Sequence, residues 1–204
     1  LAERAAIEAG EVDHIEHFGI LESERALDVY RSLVADEPGN GYRANQLGFA
    51  LQQVGKSEEL LEAMERAYPE LFQKPPMVNG ATTWPAMMTA HALLEMGETE
   101  QAKLLLDGVE IVISGLRLIT GPGFTNGIEN VEVAALRGDT EEALAGLRRA
   151  IDQNWRFTWD WMVFNKYLDP IRDDPRYIAM YEELKADIAR QREWYERNTD
   201  LPLY

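Results

Sequence analysis

Apolar residues recur with helical period through most of this chain. Leu60, Leu61, Met64 and Ala67 form one run. Ala102, Leu105, Leu106 and Val109 form a second, and Ala143, Leu144, Leu147, Ala150 and Ile151 a third. Steps of three and four place each set on one face of a helix. A matching run precedes each of them: Leu47, Ala50, Leu51, Val54; Ala90, Leu93, Leu94, Met96; Val131, Ala134, Ala135, Leu136. Between the members of each pair stands a short polar stretch: Gly55-Lys56-Ser57-Glu58, Gly97-Glu98-Thr99-Glu100 or Gly138-Asp139-Thr140-Glu141. The three glycines are 42 and then 41 residues apart.

Each part of that stretch has a physical task. Glycine takes the left-handed backbone conformation that ends a helix. Ser or Thr two residues on can accept hydrogen bonds from the uncommitted N–H groups of the next helix. The following Glu lies in the first turn, where the helix dipole favours negative charge. The predicted unit is helix, tight turn, antiparallel helix, used three times in register. The fold class is all-α.

The pattern resembles the tetratricopeptide repeat family. The matching residues run Leu47-Gly48, Gly55, Leu60, Met64, Ala67; then Ala90, Gly97, Ala102, Leu106, Val109; then Val131, Gly138, Ala143, Leu147, Ala150. Ala26, Tyr30, Val34 and Pro38 give an earlier half-match, and Ala26 to Leu60 spans 34 residues, the family's period. The resemblance covers residues 20–155 and implies antiparallel helix pairs stacked as a right-handed superhelix with a carboxy-terminal capping helix. One array of 204 residues is expected. Residues 1–20 would be an N-terminal helix or partial repeat, 21–155 the repeats, and 156–204 an aromatic linker and capping helix. The later periods are longer, so Lys74–Gly80 and Thr120–Gly127 are read as extended connections. Gly48 and Ala90 are expected to face Ala67 and Ala102. Glu98–Leu118 reads as about six turns of a mostly buried, central helix. Lys103, Asp107, Glu110, Ser114 and Arg117 would form its narrow wet stripe.

After the last repeat the chain reads Trp155-Arg156-Phe157-Thr158-Trp159-Asp160-Trp161, then Leu168-Asp169-Pro170-Ile171-Arg172-Asp173-Asp174-Pro175-Arg176-Tyr177. This is similar to the ending of repeat domains in multidomain bacterial proteins, behind nucleotide cyclase, winged-helix regulator and sulfatase domains. Asp174 can cap a helix and Pro175 suits its first turn. That helix, to about Asn198, would carry Tyr177, Met180, Tyr181, Leu184, Ile188 and Trp194 on one face and close the apolar end of the array. The chain begins at Leu1, in the middle of a helical pattern, and is read as a piece of a longer protein.

Composition narrows the partners. A net charge of −16 repels phosphate backbones and anionic lipid, so nucleic acid is not expected as a partner; the charge itself reads first as solubility, with a basic partner as the sharper alternative. The most apolar segment, Ala102–Ile119, carries Lys103, Asp107, Glu110 and Arg117, so membrane insertion is not expected. Cysteine is absent, which excludes disulfides and thiolate metal sites. The expected compartment is the cytoplasm, with the periplasm left open.

No catalytic constellation, metal site or cofactor is expected. His14 and His17 have zinc-ligand spacing, but no third ligand accompanies them, and the remaining histidine is the distant His91. Gly121-Pro122-Gly123 lacks the Gly-Lys-Ser/Thr ending of a phosphate loop. Asp173-Asp174 reads as helix capping. Repeat arrays bind on the face lined by the first helix of each pair. By the family register that face carries Tyr42, Asn45, Phe49, Gln52, Trp84, Met87, His91, Thr125 and Glu132. The resemblance also implies a carboxylate clamp in members that hold peptide C-termini. Here only Asn45 matches, without the clamp's Lys or Arg. Trp159 and Trp161 are read either as packing of the last repeat on the closing helix or as an aromatic anchor for a partner. The expected role is a non-catalytic interaction module, regulatory in character. Its partner would be a protein or peptide, a preceding domain of the same chain, or a second copy in a homodimer. The alternative is a small-ligand or enzymatic pocket beside Trp84 and His91.

Overall fold

The computed structural model describes residues 24–120, 127–156 and 159–198. These are helices and turns, with no strand among them. The chain divides into two compact units, Leu1–Leu116 and Arg117–Tyr204.

The first unit contains α1 (Glu24–Asp36), α2 (Gly41–Gln53), α3 (Ser57–Ala67), a 3-10 turn (Pro69–Phe72), α4 (Thr83–Glu95) and most of α5 (Thr99–Thr120). Leu27, Tyr30 and Leu33, spaced by three, make the buried face of α1. α1 packs on α2, α2 on α3, and α4 on both α2 and α3. The Asn40 side chain caps α2 by accepting from the Arg43 N–H. Arg31 on α1 reaches both carboxylate oxygens of Glu59 on α3, at 2.6 and 2.7 Å. Gly48 allows close approach, because a Cβ there would stand 2.7 Å from Met64 Cε. Its neighbours are Met64 and Met88, not the Ala67 expected from the family pattern. The methionine thioethers are long enough to fill the gap that a short alanine cannot reach.

α4 is buried almost all round, from Thr83 to Leu93 with Trp84 excepted. Its sequence carries no Asp, Glu, Lys or Arg before Glu95, so no charge is desolvated. Asn79 prepares its start: its side-chain oxygen accepts from the N–H groups of Ala81 and Thr82.

α5 spans 22 residues, close to the predicted length. Its wet face is wider than the predicted stripe. Leu104 and Ile111 are 47% and 74% exposed, alongside Lys103, Glu110 and Ser114. Apolar periodicity alone does not distinguish a residue that packs from one that shares its face with solvent. The connection before α4 lies partly on α5, with Val78 against Gly108.

The second unit contains α6 (Glu129–Leu136), α7 (Thr140–Asp152), two 3-10 turns (Trp159–Val163 and Lys166–Ile171) and α8 (Pro175–Asn198). Its core joins Ile128, Val131, Leu144, Leu147, Ile151, Met162, Leu168, Ile171, Tyr177, Met180 and Leu184. α6 packs on α7 and on the second 3-10 turn, and α8 packs on α7. Ion pairs link α7 with α8: Glu141 with Arg176, and Arg148 with Glu183. Both pairs are 35 residues apart in sequence, so the two helices run parallel. Arg156, just after α7, adds a pair with Asp187.

As predicted, α8 starts at Pro175 and Asp174 caps it, accepting from the Arg176 N–H at 2.8 Å. Its buried residues are Tyr177, Met180 and Leu184. Trp194, predicted for the same face, is 64% exposed. The periodicity continues beyond the end of the surface that α8 covers.

The glycine turns share one geometry. Gly55, Gly97 and Gly138 have φ of 69, 82 and 78°. In each, the next residue's N–H reaches back over the turn to a helix carbonyl: Lys56 to Leu51, Glu98 to Leu93, Asp139 to Ala134. This is the double-bonded left-handed stop that glycine permits. The side-chain caps expected of Ser57 and Thr140 do not form. α3 is preceded by Lys56 and α7 by Asp139, neither with a side-chain cap bond, and Ser57 instead donates to Glu95. Backbone carbonyls of Lys56, Glu98 and Asp139 accept the first helical bonds. A fourth stop of the same kind closes α7, with Asn154 at φ 62° and the Trp155 N–H on the Ala150 carbonyl.

Candidate partner-binding surfaces

In the first unit, α2 carries Tyr42, Asn45, Phe49 and Gln52 at steps of three and four, which is one helical face. Tyr42 is 71% exposed and its hydroxyl accepts from the Gln46 amide at 3.2 Å. Asn45 is half-buried, and the Tyr68 hydroxyl donates to the Gly41 carbonyl at 2.9 Å. Phe49 and Gln52 are buried. Gln52 Nε2 and Asn45 Oδ1 make no hydrogen bond. An amide donor and an amide acceptor thus stand beneath an exposed tyrosine. Burial pushes the nearby Tyr30 hydroxyl up to about 12, with Tyr42 adding to the effect.

On α4 the predicted residues diverge. Trp84 is 37% exposed. Met87 is fully buried, so it belongs to the core and not to a contact surface. α4 is enclosed on the side where the family register expects a lining residue. His91 is also buried, with Nε2 4.0 Å from a Glu95 oxygen. Thr125, His14 and His17 lie outside the described residues.

In the second unit, Glu132 is 1% exposed and held by Asn165, whose amide donates to its Oε1 at 2.6 Å. It is a buried carboxylate and not the groove lining expected of it. Asn165 also accepts from the Tyr167 N–H at 3.0 Å, and its carbonyl accepts from Arg172 at 2.8 Å. Arg172 reaches the Met162 carbonyl as well, as does the Tyr177 hydroxyl. One asparagine therefore ties α6 to both 3-10 turns. Nothing in the sequence marks it, because a buried Asn has no periodic signature.

Trp159 and Trp161 are half-buried. The Trp159 ring lies 6.3 Å from that of Tyr181 on α8, and Lys185 Nζ stands 5.4 Å from the Tyr181 centroid. Trp155 covers Gly127, where a Cβ would be 2.8 Å from its ring.

Among the described residues no group of three or more His, Asp or Glu is placed to hold a metal ion. No described helix is long and apolar enough to cross a membrane. No protein-family model, curated protein or solved structure matches the chain.

Proposed function

We propose that this chain is a non-catalytic, tetratricopeptide-like interaction module that takes a protein or peptide segment along the outer face of α2. The observation that carries this reading is the α2 face itself. Tyr42 supplies exposed aromatic area, and the half-buried Asn45 follows it on the same face. The shared geometry of the three glycine stops supports stacked helix pairs of the tetratricopeptide kind. The 35-residue offset between α7 and the parallel α8 is close to that family's period. The net charge of −16 favours a basic segment, from another protein or from a further domain of the same polypeptide.

The test is selection from a displayed random-peptide library on the whole chain. Selected peptides are expected to be net basic and to lose at least about tenfold in affinity on Tyr42→Ala. Peptides that bind equally well to this variant would place the site elsewhere.

A further inference from the structure

We propose that Asn79–Gly80 is a site of spontaneous covalent modification, where the Gly80 nitrogen displaces the Asn79 side-chain amide and water then leaves aspartate or isoaspartate. Glycine follows asparagine three times in the chain, at Asn40–Gly41, Asn79–Gly80 and Asn126–Gly127. Each such pair is chemically able to cyclise. The side-chain carbonyl carbon and the next backbone nitrogen close a five-membered ring, and glycine has no side chain to hinder the approach. The fold separates the three pairs.

Asn40 is tied at both ends of its amide. Its Oδ1 accepts from the Arg43 N–H, and its Nδ2 donates to Glu37 at 2.7 Å. The Tyr68 hydroxyl crowds Gly41, where a Cβ would stand 2.5 Å from it. Turning the amide carbon onto the Gly41 nitrogen would break both bonds and with them the cap of α2. The Gly127 N–H is engaged as well, donating to Glu129 at 3.2 Å, and the residue lies against Trp155.

Asn79 and Gly80 are both exposed. Only the amide oxygen of Asn79 is held, by the N–H groups of Ala81 at 2.9 Å and Thr82 at 3.3 Å. Attack on Cγ drives charge onto that oxygen, and the two donors stand where it grows. Asn79 Nδ2 and the Gly80 N–H bond to no group among the described residues, so both meet water. The bond from the Gly80 nitrogen to Cγ forms, the bond from Cγ to Nδ2 breaks, and the Gly80 proton passes through water to the departing ammonia. One water then opens the ring. Opening at Cγ gives aspartate, and opening at the backbone carbonyl gives isoaspartate. Isoaspartate displaces the Asn79 carbonyl that accepts from the Thr82 N–H and the Thr83 hydroxyl at the entry to α4.

Peptide mapping by mass spectrometry of the whole chain, held at neutral pH in oxygen-labelled water, tests the proposal. The peptide containing Asn79 is expected to exchange its amide for a carboxylate carrying one labelled oxygen. Unfolded in urea, the Asn40 and Asn79 peptides should react alike. Folding should slow Asn40 at least about tenfold and leave Asn79 within about threefold of its unfolded rate. Gly80→Ala should slow Asn79 at least about tenfold. A Cβ there meets no atom within 4 Å and Gly80 is not in the left-handed region, so this variant keeps the fold. The proposal is overturned if folding protects Asn79 as strongly as Asn40, or if Gly80→Ala leaves the rate unchanged.

Discussion

The helix α4 and the pair α7–α8 are held by different physics. α4 buries Ala86, Met87, Met88, Ala90, Ala92 and Leu93, and carries no Asp, Glu, Lys or Arg before Glu95. α7 and α8 also share an apolar core, but three arginine–carboxylate pairs line their contact. A helix buried on nearly every side is fixed mainly by the volume its neighbours leave it. Two parallel helices at the edge of a unit also need something to set their register along the axis, and spaced charges of alternating ownership provide it. Arg176 and Glu183 lie on α8, and their partners Glu141 and Arg148 on α7, so a slip of one turn would break both pairs.

The comparison predicts that both regions depend first on their cores. Met88→Ala and Leu147→Ala each remove a side chain with no exposed area, and each should cost about 2–5 kcal/mol in chemical denaturation. A much smaller loss at Leu147 would mean that charge, not volume, holds the second unit. Next in size is Asn165→Ala. It takes the donor from a buried Glu132 and the acceptor from Tyr167, and should cost about 1–3 kcal/mol in the same assay. Gly127→Ala meets both a φ of 91° and the Trp155 ring, and should cost about 1–3 kcal/mol.

Acid should separate the regions more finely. Arg176 holds the carboxyls of Glu141 and Asp174 below their ordinary values. Arg148 does the same for Glu183, and Arg156 for Asp187. The unfolded chain takes up these protons first. Their contribution is therefore present above the ordinary values of 4.5 for Glu and 3.8 for Asp, and is lost as the pH falls through the lowered ones. In the first unit, by the same reasoning, Glu59 is lowered by Arg31. Amide hydrogen exchange should rise in α7 and α8 before it rises in α4 as the pH is lowered. Simultaneous loss would show that the pairs set no register. Smallest of all, Glu183→Gln should change stability by only about 0.2–1 kcal/mol, since its partner Arg148 is exposed to water.

Much of the helical skeleton was legible in the sequence because glycine stops and apolar periods are local signals. Gly55, Gly97 and Gly138 announced their turns, and Asp174-Pro175 announced α8. The site residues were less legible. Asn45 and Met87 occupy equivalent positions in the repeat register, 42 residues apart, yet one is half-buried and the other fully buried. Burial on the second side of a helix depends on what packs there, and no period records it. Trp194 shows the converse error, since the periodicity of α8 runs past the surface it covers. The fourth stop, at Asn154, escaped notice because asparagine reaches the left-handed region less often than glycine and marks it less clearly.

The three glycine stops have one more consequence, for how such a chain can grow. Around Gly55, Gly97 and Gly138 a Cβ would meet no atom within 4 Å, so the tips of these reversals project into empty space. Each tip also leaves one helix and begins the next with the same backbone bonds. The stretch from Gly97 to Gly138 is thus a cassette whose two ends are interchangeable. Duplicating it in the gene would join like to like at the seam and lengthen the chain without inventing a new turn.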